Sequence, residues 1–169
     1  MRRPPAQKPH RSEQTVGTDP RLIAAVVRRF GPLVVDLAAL AENAVAPVFI
    51  PPEYDSLTYP WQSPQLPSGN RWLNPPFERI DPWAAKCARE ATPENRILFH
   101  VPASTGANWF RDHVAGRARV MFLNGRVTYV GHDQPYPKDT IIALFGEEPG
   151  YEVWAWLPSE DRHPRRRAA

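Results

Sequence analysis

Residues 71–90 read RWLNPPFERIDPWAAKCARE, and this stretch decides the fold class. Arg71-Trp72-Leu73 reads as a short strand running into the loop Asn74-Pro75-Pro76-Phe77. Asp81-Pro82 then sets an N-cap residue before a proline suited to the first helical position. The helix it opens carries Trp83, Ala84, Cys87 and Ala88 and must end before Pro93, which lacks the N–H that a continuing helix needs. Strand, loop and helix follow one another without a break.

The same alternation extends in both directions. Upstream, Asp19-Pro20 repeats the cap, Leu22, Ile23, Val26, Val27 and Phe30 share one helical face, and Gly31 offers a stop. Leu33-Val34-Val35 is a buried-strand run delivering the carboxylate of Asp36 at its end. Ala38 to Ala46 is expected to form a short helix before a second strand at Val48-Phe49-Ile50, and residues 51–69 form a long surface loop rich in proline, serine and glutamine. Downstream, Ile97 to Val101 is a strand interrupted by His100, read as a hydrogen-bonded core histidine. Ser104 or Thr105 caps a helix carrying Trp109, Phe110 and Val114 that stops near Gly116. Val120–Leu123 and Val127–Val130 flank Asn124-Gly125, a strong hairpin signal, and Thr140–Phe145 and Tyr151–Trp156 supply two more strands. Alternation followed by hairpins predicts an α/β fold whose first strands are parallel and whose C-terminal strands are antiparallel.

At 169 residues and 42% hydrophobic content, the chain suits one minimal domain with a real core. No apolar run reaches the roughly 20 residues that span a bilayer, and the charged start lacks the apolar middle of a secretory signal, so a cytoplasmic protein is expected. Cys87 has no second cysteine to pair with and no neighbours at metal-ligand spacing, so no metal site is expected. The net charge of +3 is unevenly spread: residues 1–18 hold four Lys/Arg against Glu13, and residues 158–169 hold four Arg against Glu160 and Asp161. Residues 19–157 therefore carry 13 basic and 15 acidic residues, which places the basicity in two expected tails, a disordered one at 1–18 and another at 158–169, around a domain at 19–157.

Ligands of open α/β sheets bind beyond the C-terminal strand ends, where Asp36, the pair Glu53 and Asp55, and the Asn74 loop fall. Two prolines stiffen that loop and present the Asn74 side chain and the Pro75 carbonyl as fixed acceptors. Both can face one exocyclic amine, draw its hydrogens and hold it in line with a methyl donor, while Phe77 offers a stacking face to a flipped base. Taken alone, the loop is equally a turn with Asn74 bonded locally and Phe77 in the core, and Asp36 alone reads as a cap or turn residue rather than a cofactor ligand. Trp72, Trp83 and Trp109 read as core, and His113 and His132 as lone histidines without a catalytic part.

Several motifs in order resemble the phage-type DNA N-6-adenine methyltransferase family over about residues 19–146. Val35-Asp36-Leu37-Ala38-Ala39 with Glu42-Asn43-Ala44 is similar to its aspartate-containing cofactor segment, and Tyr54-Asp55-Ser56-Leu57 with Trp61 to its acidic loop. Asn74-Pro75-Pro76-Phe77 matches the Asp/Asn-Pro-Pro-Tyr/Phe motif of amino-methyltransferases, and Pro102, Trp109-Phe110, Phe122-Leu123-Asn124-Gly125-Arg126 and Pro135-Tyr136-Pro137 resemble its later elements. The resemblance implies a Rossmann-like class I methyltransferase sheet, S-adenosylmethionine as methyl donor and a flipped adenine of double-stranded DNA as acceptor. It implies that Asp36 and Ala38 lie at the methionine end of the cofactor, that Asp55 or Glu53 binds its ribose, and that Asn74 to Phe77 form the catalytic loop. Arg126, with Arg119 and Lys138, is then expected at DNA. No Gly-x-Gly loop follows the first strand; the resemblance implies Ala-Ala, here Ala38-Ala39, where larger methyltransferases use glycines. Competing readings are a cytosine N-4 methyltransferase, a DNA-binding protein with a methyltransferase shell and no catalysis, and a proline-rich interaction protein.

Overall fold

A computed structural model describes residues 16–158. Helix α1 (Pro20–Phe30) begins as its sequence predicts: the Asp19 carboxylate accepts from the Arg21 N–H at 2.9 Å, and Gly31, at φ +91°, ends the helix. Strands β1 (Leu33–Asp36), β2 (Val48–Phe49) and β3 (Asn70–Leu73) follow, then helix α2 (Asp81–Glu90) and strand β4 (Ile97–Pro102). A short, wide helical turn at Phe110–Val114 leads to β5 (Arg119–Leu123), β6 (Thr140–Phe145) and β7 (Gly150–Trp154).

These form one seven-stranded sheet in the order β2-β1-β3-β4-β6-β5-β7. β1 pairs in parallel with β2 and β3, β3 with β4, and β5 with β7, whereas β6 is antiparallel to both β4 and β5. The expected antiparallel end is thus one strand, β6, inserted between two that share the common direction. Period-2 alternation sends β4 and β6 side chains to two cores. Leu98, Ile142 and Leu144 pack under α1 with Leu22, Val26 and Trp72, while Ile97, Phe99, Ile141 and Ala143 face α2 with Ala84 and Cys87. The chain steps outward from β1 to β2 and returns past β1 to β3, so the strand order reverses between the loops that leave β1 and β3.

Five local expectations are corrected. Asp81 does not cap α2 but is its first residue, behind Ile80, and the turn at Phe110–Val114 follows Trp109 rather than Ser104 or Thr105; neither start has a side-chain cap bond. Val127–Val130 forms no strand: Gly125 turns at φ +115°, but β5 already has β6 on one edge and β7 on the other, leaving no edge for a hairpin partner. Residues 38–46 form turns rather than a helix, because side-chain acceptors capture the N–H groups, Asp36 those of Ala38 and Val45 and Asn43 that of Leu40. Val27 is 39% exposed, and Ala25 takes its expected place in the core. His100 is fully buried, yet neither ring nitrogen has a hydrogen-bond partner among the described residues, and burial pushes its pKa down to about 3. Among the described residues no helix is long and apolar enough to cross a membrane, and no cluster of three or more His, Cys, Asp or Glu is placed to hold a metal ion.

Candidate functional site

The C-terminal ends of β1, β2 and β3 open into one cavity of about 1040 Å³. Three loops wall it: Ala38, Ala39 and Leu40 follow β1, Ile50 to Pro52 with Asp55 and Ser56 follow β2, and Asn74-Pro75-Pro76-Phe77 follows β3. Two segments that carry no strand complete it. One is Val16, and the other is the crossing between β5 and β6, which contributes Tyr129, His132 and residues 134–137. The two segments are joined to each other, since the Val130 N–H donates to the Gly17 carbonyl at 2.9 Å.

Asn74 sits where β3 gives way to the prolines. Its Nδ2 donates to the Thr18 hydroxyl at 3.2 Å, and its Oδ1 is buried with no hydrogen-bond partner among the described residues. Neither Pro75 nor Pro76 has an N–H with which to fill that acceptor. A buried polar atom left open costs on the order of 1–3 kcal/mol, so natural structures hold few of them, and one facing a cavity is a place for a ligand donor. Phe77 is half-buried beside it and meets Tyr129 and Tyr136 edge-on, with ring centroids 6.3 and 5.8 Å away. The Tyr129 hydroxyl is likewise buried without a partner among the described residues, and burial raises its pKa far above the usual phenol value. Trp83, expected in the core, packs on Trp61 and also lines the cavity.

Asp36 lies below this surface, 3% exposed, and does not itself line the cavity. Its oxygens accept from Ala38 N at 3.3 Å and Val45 N at 3.1 Å, which holds the turn whose Ala38, Ala39 and Leu40 form the wall. Burial outweighs these two bonds and raises its pKa to about 6. Asp55 does line the cavity. It adopts φ +41°, a left-handed conformation that aspartate tolerates better than most residues, and its exposed carboxylate accepts only from Leu57 N, at 3.2 Å, among the described residues. Glu53 is exposed and outside the lining.

The expected DNA contacts divide. Arg126 and Lys138 are exposed on the crossing that roofs the cavity, with Arg126 3.4 Å from Asp139. Arg119 starts β5 and is therefore at the opposite end of the sheet, paired with Glu147 at 3.2 Å. His113 is not alone, since its Nε2 lies 3.6 Å from Asp81, and His132 lines the cavity. The sequence reading missed Thr18, Tyr129 and Tyr136. Thr18 carried the signal of standing beside the Asp19-Pro20 cap, but was assigned to a tail. The described chain instead packs from Val16 onward, with Thr18 6% exposed. The remainder of both expected tails lies outside the described residues.

Comparison with known proteins shows the family. The chain is 26% identical over 136 residues to the DNA N-6-adenine-methyltransferase of Escherichia phage T1, covering 80% of this chain and 56% of that protein. It is 26% identical over 102 residues to the protein of the same name from Haemophilus phage HP1, covering 58% and 55% respectively. The chain thus spans about half the length of the curated relatives it matches. The sequence profile of the DNA N-6-adenine-methyltransferase (Dam) family matches residues 7–142, most of the chain, with the cap, the Asp36 turn, the Asp55 loop and the Asn74 loop all inside the match; the chain belongs to that family.

Proposed function

We propose that this protein methylates the exocyclic amine of adenine in double-stranded DNA, using S-adenosylmethionine on a Rossmann-like class I methyltransferase sheet. The observation that carries the reading is the open Oδ1 of Asn74. It is a buried acceptor on a residue that lines the cavity, and no described residue donates to it. An amine presents the N–H that such an atom lacks.

The donor set fits the cofactor. An exposed carboxylate on the wall, Asp55, suits a ribose diol, and the small side chains of Ala38 and Ala39 leave room where a larger residue would close the cavity. Asp36 holds that wall in place from beneath, and Glu53 is too far out to share in it. When bound, S-adenosylmethionine supplies an electrophilic methyl group. The protein's own part is then positional: Asn74 Oδ1 and the Pro75 carbonyl accept the two amine hydrogens, returning lone-pair density to the nitrogen and fixing its direction. Phe77, with Tyr129 and Tyr136 behind it, offers a ring face to a base turned out of the duplex. Arg126 and Lys138, on the roof, would meet phosphate.

The test is direct. Unmethylated duplex DNA is incubated with the protein and S-adenosylmethionine, digested to nucleosides and examined by mass. N6-methyladenine is the expected product, whereas N4-methylcytosine, or cofactor and DNA binding with no product, would overturn the assignment.

A further inference from the structure

We propose that Thr18 is a positioning residue that fixes the orientation of the Asn74 amide beside the cavity; its kinetic consequence rests on the methyl-transfer reading above. The two ends of an asparagine amide are nearly equal in size and opposite in function, one an acceptor and the other a pair of donors. Packing therefore cannot choose between them, and hydrogen bonding must. The choice is decisive here, because a substrate amine meets an acceptor at Oδ1 but would meet another donor if the amide were turned over.

Thr18 Oγ1 stands 3.2 Å from Asn74 Nδ2 and gives that nitrogen its hydrogen-bond partner, leaving Oδ1 as the open atom. Turning the amide over would let the Thr18 hydroxyl donate to Oδ1 instead, but would put both N–H groups where Oδ1 now lies, a buried place with no acceptor among the described residues. Buried orphan donors are rarer in proteins than under-satisfied carbonyl oxygens, so the observed orientation is the favoured one. Thr18 itself is held on both sides. The preceding residue accepts from Val130 N at 2.9 Å, and the following Asp19 caps α1 while accepting from Thr128 N at 3.3 Å. A side chain at Gly17 would come within 3.2 Å of Val130, so the segment lies tightly against the roof. Thr18 thus ties the orientation of the β3 loop to the closure of the cavity.

The experiment uses the full-length protein with Thr18→Val, which keeps the shape and removes the hydroxyl, and Thr18→Ser, which keeps the hydroxyl and removes the methyl. First, in ¹⁵N spectra without ligand, the Asn74 side-chain NH₂ of the wild type is expected to exchange slowly. The exchange should speed up about tenfold in Thr18→Val, the equivalent of one hydrogen bond, and return towards wild type in Thr18→Ser. Second, the single-turnover methylation rate should fall about tenfold in Thr18→Val while S-adenosylmethionine affinity stays within twofold, about the limit set by an unchanged site. Unchanged Asn74 exchange in Thr18→Val, or a loss in Thr18→Ser as large as in Thr18→Val, would make Thr18 a packing residue and overturn the proposal. A wild-type protein that transfers no methyl group defeats the functional reading alone, because the spectra still test the hydrogen bond from Asn74 to Thr18.

Discussion

The two ends of the sheet carry similar polar residues and treat them in opposite ways. Away from the cavity, Arg96 donates to Asn70 Oδ1 at 3.0 and 2.8 Å, to Glu147 at 3.0 Å and to the Phe30 carbonyl at 3.4 Å. Asn70 gives its own amide to the Phe30 and Pro32 carbonyls, and Arg119 joins Glu147 from β5. This network pairs both ends of the Asn70 amide and closes the base of α1 onto β3, β4 and the turn after β6, while Arg119 Nε, although 3.2 Å from Glu147, makes no hydrogen bond among the described residues. At the cavity end, Asn74 Oδ1 and the Tyr129 hydroxyl are buried and open, and His100 sits just behind them with its ring centroid 6.1 Å from that of Tyr129. Asn70 begins β3 and Asn74 follows its last residue. The difference teaches that a polar side chain at a strand end marks a site only when the fold withholds its partner.

The largest test of that contrast compares the two asparagines. Asn74→Ala is expected to lower the single-turnover methylation rate about 10²–10³-fold, the usual cost of losing one preorganised group, with little change in thermal stability. Asn70→Ala should do the reverse, destabilising the fold by about 1–3 kcal/mol by leaving Arg96 short of an acceptor and leaving the rate of the folded protein alone. Rates and melts measured side by side check both. Equal loss of stability in the two variants would make Asn74 a turn residue like any other.

Burial at the cavity end also has a pH signature with two opposing signs. The folded-state pKa of His100 is depressed to about 3, so its share of stability is lost as pH falls below the unfolded value near 6.5. The folded-state pKa of Asp36 is raised to about 6, so stability falls as pH rises from its unfolded value near 3.8. Between about pH 4 and 6 the two slopes, each approaching about 1.4 kcal/mol per pH unit, nearly cancel. Asp36→Asn should expose a stability that increases with pH in that window, and His100→Phe one that decreases. Urea melts across the window check this, and parallel curves for the two variants would remove one or both groups from the account.

Within the acidic residues the effect should be smaller and more local. Asp55→Ala is expected to weaken S-adenosylmethionine binding about tenfold, as loss of a hydrogen bond to a charged group does, without lowering stability, whereas Glu53→Ala should change it less than about twofold. Asp36→Ala should weaken binding and stability together, because it acts through the turn it holds. Calorimetry with melts separates these cases. Smallest of all, Arg126→Ala and Lys138→Ala should each lower DNA affinity a few-fold and reduce the slope of log affinity against log salt by about 0.9. Arg119→Ala should leave that slope unchanged, and a lower slope there would move the DNA path to the far end of the sheet.

Local chemistry made much of this legible. The Asp19-Pro20 cap, the strand running into Asn74-Pro75-Pro76-Phe77 and the strands at β4 and β6 follow from rules that act within a few residues, and they stand in the structure where those rules put them. The hairpin at Asn124-Gly125 failed because a turn signal is silent about which sheet edges are free. Residues 38–46 failed as a helix because the competing acceptor, Asp36, lies nine residues from Val45.

The sequence by itself determined the alternation of strands and helices, the capped start of α1 and the proline-stiffened loop after β3, since propensity, capping and proline geometry are local properties. Only the tertiary structure decided that Asp36 supports the wall rather than lining it, that Arg119 faces away, and that Thr18 meets Asn74 across 56 positions of chain. Burial and hydrogen-bond satisfaction depend on every neighbour at once, and these neighbours are brought together by packing rather than by sequence order.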